Sequence, residues 1–312
     1  MYVVPSRRIQ LITTVLTESR KGGGDSEKAI GDLGLAQTGE FKICTKAPGG
    51  LVPGGGSKAV TLMSMMHSLE ALKAERVDTY FLHAYDAATP LSETMDAVQE
   101  LYQAGAFARF GLSNFPTSAV VELHEYAKSR PGYVLPTVYQ APYSLASRGC
   151  ESELFPVLRR LGIAIQAYSP TAGEPPVRLA DSLSGTRRLD AERSNVCKLH
   201  HLTHNKPVFV RFLAAYSELV RESGVGRAEL AYRWIVWNSA LRGGDAIVMD
   251  VTSVEQAREA LAAVRKGPLE PWVVQRLEDM WCSVAADAML HSLEATTSVT
   301  AEEASQMFQK TV

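Results

Sequence analysis

The stretch Val77-Asp78-Thr79-Tyr80-Phe81-Leu82-His83 has the pattern of a buried β-strand that ends on a histidine. Its apolar and β-branched residues are typical of a strand covered on both faces. Apolar residues recur at helical spacing before and after it: Leu62, Met65, Leu69 and Leu72, then Leu91, Met95, Val98 and Tyr102. Helix, strand and helix in succession predict a parallel α/β sheet. Taken alone, His83 is more simply read as a structural histidine bonded to a backbone carbonyl.

The same alternation continues along the chain and places polar residues at several predicted strand ends. Strands are predicted at 9–17, 41–46, 77–83, 108–114, 134–140, 162–168 and 245–249, with helices between most of them. A barrel would gather the carboxyl ends of these strands at one mouth, where such folds carry their chemistry. The residues at those ends are Lys46, His83, Ser113, Asn114, Gln140 and Tyr168. Their number favours a functional reading of His83.

Composition indicates a globular protein without a nucleic-acid or membrane partner. The 312 residues are 46% hydrophobic and 21% charged, with a formal net charge of −2. No apolar run is long enough to span a bilayer, and no small-residue cleavage site marks a signal peptide. Because no composition break divides the chain, we expect one domain over 1–284 and a weakly patterned tail over 285–312.

Cysteine and histidine spacing gives no metal pattern. Reduced thiols of a cytoplasmic protein fit the scattered residues Cys44, Cys150, Cys197 and Cys282. The group His200, His201 and His204 lacks the carboxylate or thiolate neighbours of a metal site and is read as a solvated loop. The surrounding segment 171–206 has little periodicity, and a stretch of that length in a compact domain is typically a functional loop.

The strand-end residues, in this order, resemble the aldo-keto reductase superfamily, above all its aflatoxin-aldehyde reductase branch and the fungal relatives of that branch. The likeness covers about residues 22–284 and implies a (β/α)8 barrel. It is carried by an ordered set of strings: CTKA (44–47), RVDTYFLHAYD (76–86), GLSNF (111–115), LPTVYQAPY (135–143), AYSPTAG (167–173), HNKPVF (204–209), AELAYRW (228–234), GDAIV (244–248), SVEQ (253–256) and GPLEP (267–271).

The resemblance implies that NADPH lies across the barrel mouth and that a hydride passes to a small aldehyde or ketone. It makes Lys46 the active-site lysine and His83 the histidine that orients the substrate. The remaining positions are implied to bind the cofactor: Ser113, Asn114 and Gln140 at the nicotinamide carboxamide, Tyr168 stacked on its ring, Ser169 and Pro170 at the pyrophosphate, and Ser253 and Gln256 near the 2′-phosphate.

These residue types suit the chemistry. A carbonyl that takes up hydride develops negative charge on oxygen, so it needs a hydrogen-bond donor and then a proton. A nearby ammonium lowers the pKa of a proton donor, and amides fix the face of the nicotinamide. Simpler readings remain open, because Ser253 to Gln256 is also an ordinary capping box and Tyr168 to Pro170 an ordinary strand end and turn.

The chain also departs from the family pattern. Leu16 stands where the family has an aspartate, and Lys21 stands where it has the proton-donating tyrosine. We therefore expect the barrel to be incomplete at the N-terminus, with its first strand and helix missing or replaced. Weaker departures are the interruption Glu174-Pro175-Pro176 after the pyrophosphate loop, and Asp250 and Ala260 near the cofactor. Losing a positioned general acid typically costs about two to four orders of magnitude in rate.

Three hypotheses follow for function. The first is an NADPH-dependent reductase of aldehydes or ketones, with a role in fungal secondary metabolism, acting as a monomer or homodimer. The second is a catalytically impaired relative that binds a nucleotide or a protein partner. The third is a truncated gene product with an altered N-terminus.

Overall fold

The computed structural model describes residues 25–52, 54–171, 207–249, 251 and 253–288. The strands are β1 (Cys44–Ala47), β2 (Val77–Leu82), β3 (Phe107–Ser113), β4 (Pro136–Pro142), β5 (Ala164–Tyr168) and β6 (Ala246–Ile247). The helices are α1 (Asp25–Asp32), α2 (Lys58–Leu72), α3 (Leu91–Gln103), α4 (Thr117–Lys128), α5 (Leu154–Arg160), α6 (Pro207–Ser223), α7 (Arg227–Arg233), α8 (Val254–Arg265) and α9 (Pro271–Val284). The predicted strand at 9–17 and the loop from 172 to 206 lie outside the described residues.

Two compact units make up the chain. Of the described residues, the amino-terminal unit contains those within 25–140 and 154–165, and the carboxyl-terminal unit contains those within 141–153 and 166–288. Within each unit, successive strands are hydrogen-bonded in chain order. The predicted alternation of strands and helices is confirmed across the described residues, and the element ends shift by only a few positions.

The amino-terminal unit is a parallel α/β arrangement. Strand β1 pairs with β2, β2 with β3 and β3 with β4, all in parallel. Strand β2 is buried along nearly its whole length, as its apolar sequence predicts. On the helical side of β2, the Tyr80 hydroxyl donates to the carbonyl oxygen of Thr61 at 2.9 Å, so α2 is tied to the strand that it covers. Parallel pairing therefore aligns the carboxyl ends of β1 to β4.

The carboxyl-terminal unit joins β5 to β6, again in parallel, through the pairs Gln166 with Ala246 and Ala167 with Ile247. Helix α6 packs against α9, and α7 packs against α8. Helix α7 ends at Arg233, and a π-helical turn follows it directly over Trp234–Asn238. The sequence predicts one helix there, because the 3.6-residue periodicity does not distinguish a π turn from α-helix.

One close contact in the amino-terminal unit depends on a residue without a side chain. A Cβ placed on Gly111 of β3 would lie 2.4 Å from two ring carbons of Phe81 and 2.9 Å from a methyl carbon of Val138. Phe81 is fully buried, and its ring has no solvent side into which it can retreat. Gly111 therefore leaves the space that the Phe81 ring occupies.

We expect the substitution Gly111→Ala to destabilise the protein by about 1–3 kcal/mol, because overpacking a full core forces rings and backbone out of position. Chemical denaturation followed by circular dichroism measures the change. A matched control is Gly226→Ala, since a Cβ there meets no atom within 4 Å; it should cost less than about 1 kcal/mol. The double variant Gly111→Ala with Phe81→Leu should cost less than the sum of the two single changes. Strict additivity would contradict the proposed steric cause.

Candidate active site

Lys46 lies near the carboxyl end of β1 and is only 3% exposed. Its Nζ is 5.2 Å from the centroid of the Phe81 ring, the residue that faces it across the β1–β2 pair. Burial lowers the pKa of this ammonium to about 7, and the nearby Cys44 thiol opposes part of that effect. Among the described residues, no carboxylate forms an ion pair with Lys46. The lysine is thus able to exchange a proton near neutral pH.

His83 follows β2 directly, and its backbone N–H donates to the carbonyl oxygen of Ala47 at 3.0 Å. Its ring atom Nδ1 is buried and has no hydrogen-bond partner within the described parts of the chain. Burial, and then the charge of Lys46, lower the pKa of His83 to about 3. The imidazole is therefore neutral at physiological pH, and its buried Nδ1 is available for a hydrogen bond.

The ends of β3 and β4 add hydroxyl and amide side chains. Ser113 and Gln140 are both buried and pair directly across the two strands. Asn114 has a backbone φ of 54°, in the left-handed region that residues other than glycine seldom occupy. Its Nδ2 donates to the carbonyl oxygen of His83 at 2.9 Å and to Ser113 Oγ at 3.1 Å. Asn114 thereby links the end of β3 to the histidine after β2.

These contacts bring five of the predicted residues together in the amino-terminal unit, at four successive strand ends. We call them the strand-end cluster: Lys46, His83, Ser113, Asn114 and Gln140. The convergence follows from parallel pairing, which sets equivalent ends side by side. The other five predicted residues belong to the carboxyl-terminal unit.

Tyr168, Ser169 and Pro170 form the end of β5 and the turn that follows. The carbonyl oxygen of Tyr168 accepts a hydrogen bond from the N–H of Tyr143 at 3.1 Å. Ser169 has a φ of 54°, which matches the value at Asn114. Left-handed non-glycine residues at strand ends often mark functional sites, because the surrounding structure must hold the strained backbone in place.

Ser253 is the N-cap of α8, and its side chain accepts a hydrogen bond from the backbone N–H of Gln256 at 3.2 Å. The capping reading of this motif is therefore confirmed. Both residues are exposed. The N-terminus of a helix carries partial positive charge and therefore favours an anion. Helix capping and phosphate binding are thus compatible at this position.

Sequence reasoning missed three residues that support the strand-end cluster. Phe81 lies beneath Lys46, and Gly111 leaves room for Phe81. Asp86, three residues after His83, accepts hydrogen bonds from the N–H of Gly56 at 2.9 Å, the N–H of Ala88 at 3.0 Å and Thr89 Oγ1 at 2.7 Å. An aspartate that follows a strand end and precedes Thr-Pro is a turn signal that could have identified this last residue.

Several sequence departures cannot be placed in this geometry. Leu16, Lys21, the stretch 174–176 and Asp250 lie outside the described residues, whereas Ala260 is buried on α8. Within the described ranges, no group of three or more His, Cys, Asp and Glu side chains could hold a metal ion. No described helix has the length and apolar character needed to cross a membrane.

Comparison with known proteins connects this geometry to a family. The sequence model described as "Aldo/keto reductase family" matches residues 22–281. An oxidoreductase named sirO from Leptosphaeria maculans is 42% identical over 274 residues, covering 87% of this chain and 82% of that relative. Aflatoxin B1 aldehyde reductase member 4 from Homo sapiens is 36% identical over 278 residues, covering 83% and 81%.

A more distant relative extends the same pattern. Aldo-keto reductase pigE from Monascus ruber is 28% identical over 229 residues, covering 71% of this chain and 67% of that relative. Members of the matched family fold as (β/α)8 barrels, which agrees with the parallel α/β arrangement described above. On the length of the family match and the identity to these relatives, the chain belongs to the aldo/keto reductase family.

Proposed function

We propose that this protein is an NADPH-dependent reductase that converts an aldehyde or ketone to an alcohol. One observation carries the proposal: a buried lysine and a neutral histidine occupy neighbouring strand ends, and hydroxyl and amide side chains occupy the next two. A carbonyl that gains hydride requires hydrogen-bond donors at oxygen and a proton. The strand-end cluster contains groups of both kinds.

The residues of this cluster fit a nicotinamide cofactor. The buried Nδ1 of His83 has no partner among the described residues, and a polar atom of a ligand would supply one. Amide side chains such as Gln140 are chemically matched to a carboxamide, which both donates and accepts hydrogen bonds. When bound, the reduced nicotinamide supplies hydride. The protein's own part is to orient the carbonyl through His83 and to hold Lys46 ready at its oxygen.

The resemblance to the family assigns five further residues to the cofactor. Tyr168 offers an aromatic face for the nicotinamide ring, and Ser169 and Pro170 begin the segment proposed to cover the pyrophosphate. Ser253 and Gln256 are proposed to contact the 2′-phosphate, with the end of α8 favouring the anion. We further propose that residues 1–284 act as one barrel domain of a cytoplasmic monomer or homodimer. The resemblance to fungal relatives supports a role in secondary metabolism.

A second candidate function is a catalytically impaired protein that binds a nucleotide or a partner. Leu16 and Lys21 favour it, because the family has an aspartate and the proton-donating tyrosine at those positions. The double variant Leu16→Asp with Lys21→Tyr separates the two candidates. Reductase activity that appears only in the double variant would support the impaired protein. A parent already as fast as the variant would exclude it.

The substitution His83→Ala should lower kcat/KM for an aromatic aldehyde by about 100-fold or more, because the carbonyl loses an orienting hydrogen bond. NADPH oxidation followed by its absorbance measures the rate, and quenching of tryptophan fluorescence measures cofactor binding. The affinity for NADPH should change little, since His83 is proposed to orient the carbonyl of the substrate and not to hold the cofactor.

The control for this experiment is His67→Ala, which removes an exposed imidazole from α2. It should leave kcat/KM within about twofold, as expected for a surface change. A folded wild-type protein that binds NADPH but reduces no aldehyde would refute the reductase proposal. Equal rates for His83→Ala and wild type would remove His83 from the proposed site.

Replacing Gln256 with glutamate tests the proposed 2′-phosphate contact. The variant Gln256→Glu should weaken NADPH binding by about tenfold, because a carboxylate repels the phosphate dianion, and should leave NADH binding nearly unchanged. Titration of tryptophan fluorescence with each cofactor gives both constants. The stability of α8 should not decrease, since Ser253 and a glutamate three residues later form a capping box. Equal losses for both cofactors would argue against a phosphate contact.

A further inference from the structure

We propose that the ammonium group of Lys46 is itself the proton donor in the carbonyl reduction, an inference that rests on the proposed reductase function. The geometry that suggests it is the position of Lys46. It lies at the strand ends, 3% exposed, with its Nζ 5.2 Å from the centre of an aromatic ring and no carboxylate partner among the described residues. A lysine whose role was only to supply fixed charge would be served equally well by an ion pair.

The other titratable groups of the amino-terminal unit near these strand ends are poorly suited to the task. His83 is a neutral imidazole near neutral pH, because burial and Lys46 lower its pKa to about 3, and it therefore has no acidic imidazolium proton to donate. The Cys44 thiol, also on β1, is a weaker acid than usual because burial raises its pKa. On the opposite side of β1, the α1 carboxylate Glu27 accepts a hydrogen bond from Thr45 Oγ1, and is engaged there.

Nearby tyrosines are engaged elsewhere. The hydroxyl of Tyr80 donates to the carbonyl oxygen of Thr61 on α2. The hydroxyl of Tyr139 donates to the carbonyl oxygen of Phe115. The ring of Tyr85 packs edge-on against Phe115, with 5.5 Å between ring centres. Tyr85 is nonetheless the tyrosine nearest in sequence to His83, and for that reason it enters the test below.

Lys46 has the acidity that the step requires. Its burial brings the pKa to about 7, and a general acid works best when its pKa is close to the working pH. The Phe81 ring contributes to this burial, and Gly111 makes room for the ring. Phe81 and Gly111, two of the three residues that sequence reasoning missed, thus act as positioning residues for the proton donor.

The proposed step balances. The carbonyl carbon receives a hydride, with its two electrons, from the reduced nicotinamide, and the carbon–oxygen π bond breaks. The oxygen forms its O–H bond with a proton from Lys46 Nζ, so the lysine becomes a neutral amine. The products are the alcohol and the oxidised nicotinamide, and Lys46 regains a proton from water.

Two substitutions separate proton donation from a purely electrostatic role. Lys46→Arg keeps the positive charge, but a guanidinium with a pKa above about 12 does not release a proton. We expect kcat/KM for an aromatic aldehyde to fall at least about 100-fold in both Lys46→Arg and Lys46→Met. Lys42→Arg is the control, because Lys42 is an exposed lysine just before β1. Lys42→Arg should keep the wild-type kcat/KM, and so should Tyr85→Phe.

The pH profile gives a second readout. Wild-type kcat/KM, measured with saturating NADPH, should be level at low pH and fall about tenfold per unit above the pKa of Lys46, because only the protonated amine donates. Proton–carbon NMR of protein labelled with [ε-13C]lysine gives that pKa independently of turnover, and the signal is assigned by its loss in Lys46→Arg. The kinetic and NMR values should coincide in wild type and shift together in Phe81→Leu.

Three results would overturn the proposal while leaving the reductase function in place. The first is Lys46→Arg within about fivefold of wild type. The second is a Lys46 pKa near the ordinary value of about 10.4. The third is a 100-fold loss in Tyr85→Phe. Wild-type protein that binds NADPH and reduces no aldehyde is a different outcome: it would overturn the reductase function, and the proposed role of Lys46 with it.

Discussion

The amino-terminal unit is organised around the burial of one ammonium group. Moving a charge out of water is costly unless it is paired or can give up its proton. Lys46 has an aromatic face as its neighbour, and Phe81 provides that face only because Gly111 has no side chain. The charge of Lys46 in turn helps to keep His83 neutral. The missing Cβ on β3 therefore leaves room on β2 for the aromatic ring that lies next to this ammonium group.

Much of this fold could be predicted from the sequence. The positions of β1 to β5 are predicted by apolar runs that end on polar residues. Parallel pairing explains why the last residues of β1 to β4 lie together. The contact between Phe81 and Gly111 could not be predicted, because it depends on the register of β2 against β3, which no local pattern encodes. The π turn at Trp234–Asn238 escaped prediction for a similar reason, since its apolar spacing is compatible with an ordinary helix.

The predicted site residues differ in how well their chemistry could be inferred. Lys46 and His83 have unusual environments, so their burial adds information to their identity. Ser253 has a local structural task as a helix cap, so the sequence motif alone had two valid explanations. Asp86 shows the opposite case. It anchors the segment after His83 through three hydrogen bonds, and its place after a strand end and before Thr-Pro signals a turn without indicating a nearby site.

Asn114 leads to a different consequence, which concerns the comparison of relatives. Its left-handed backbone restricts the position to asparagine, aspartate or glycine with little strain, whatever reaction the protein performs. Its amide also ties the histidine segment to β3. Selection for stable folding alone would thus preserve this asparagine in a descendant that had lost its enzymatic activity. Retention of Asn114 across an alignment is evidence of a shared architecture, and it is weak evidence of a shared reaction.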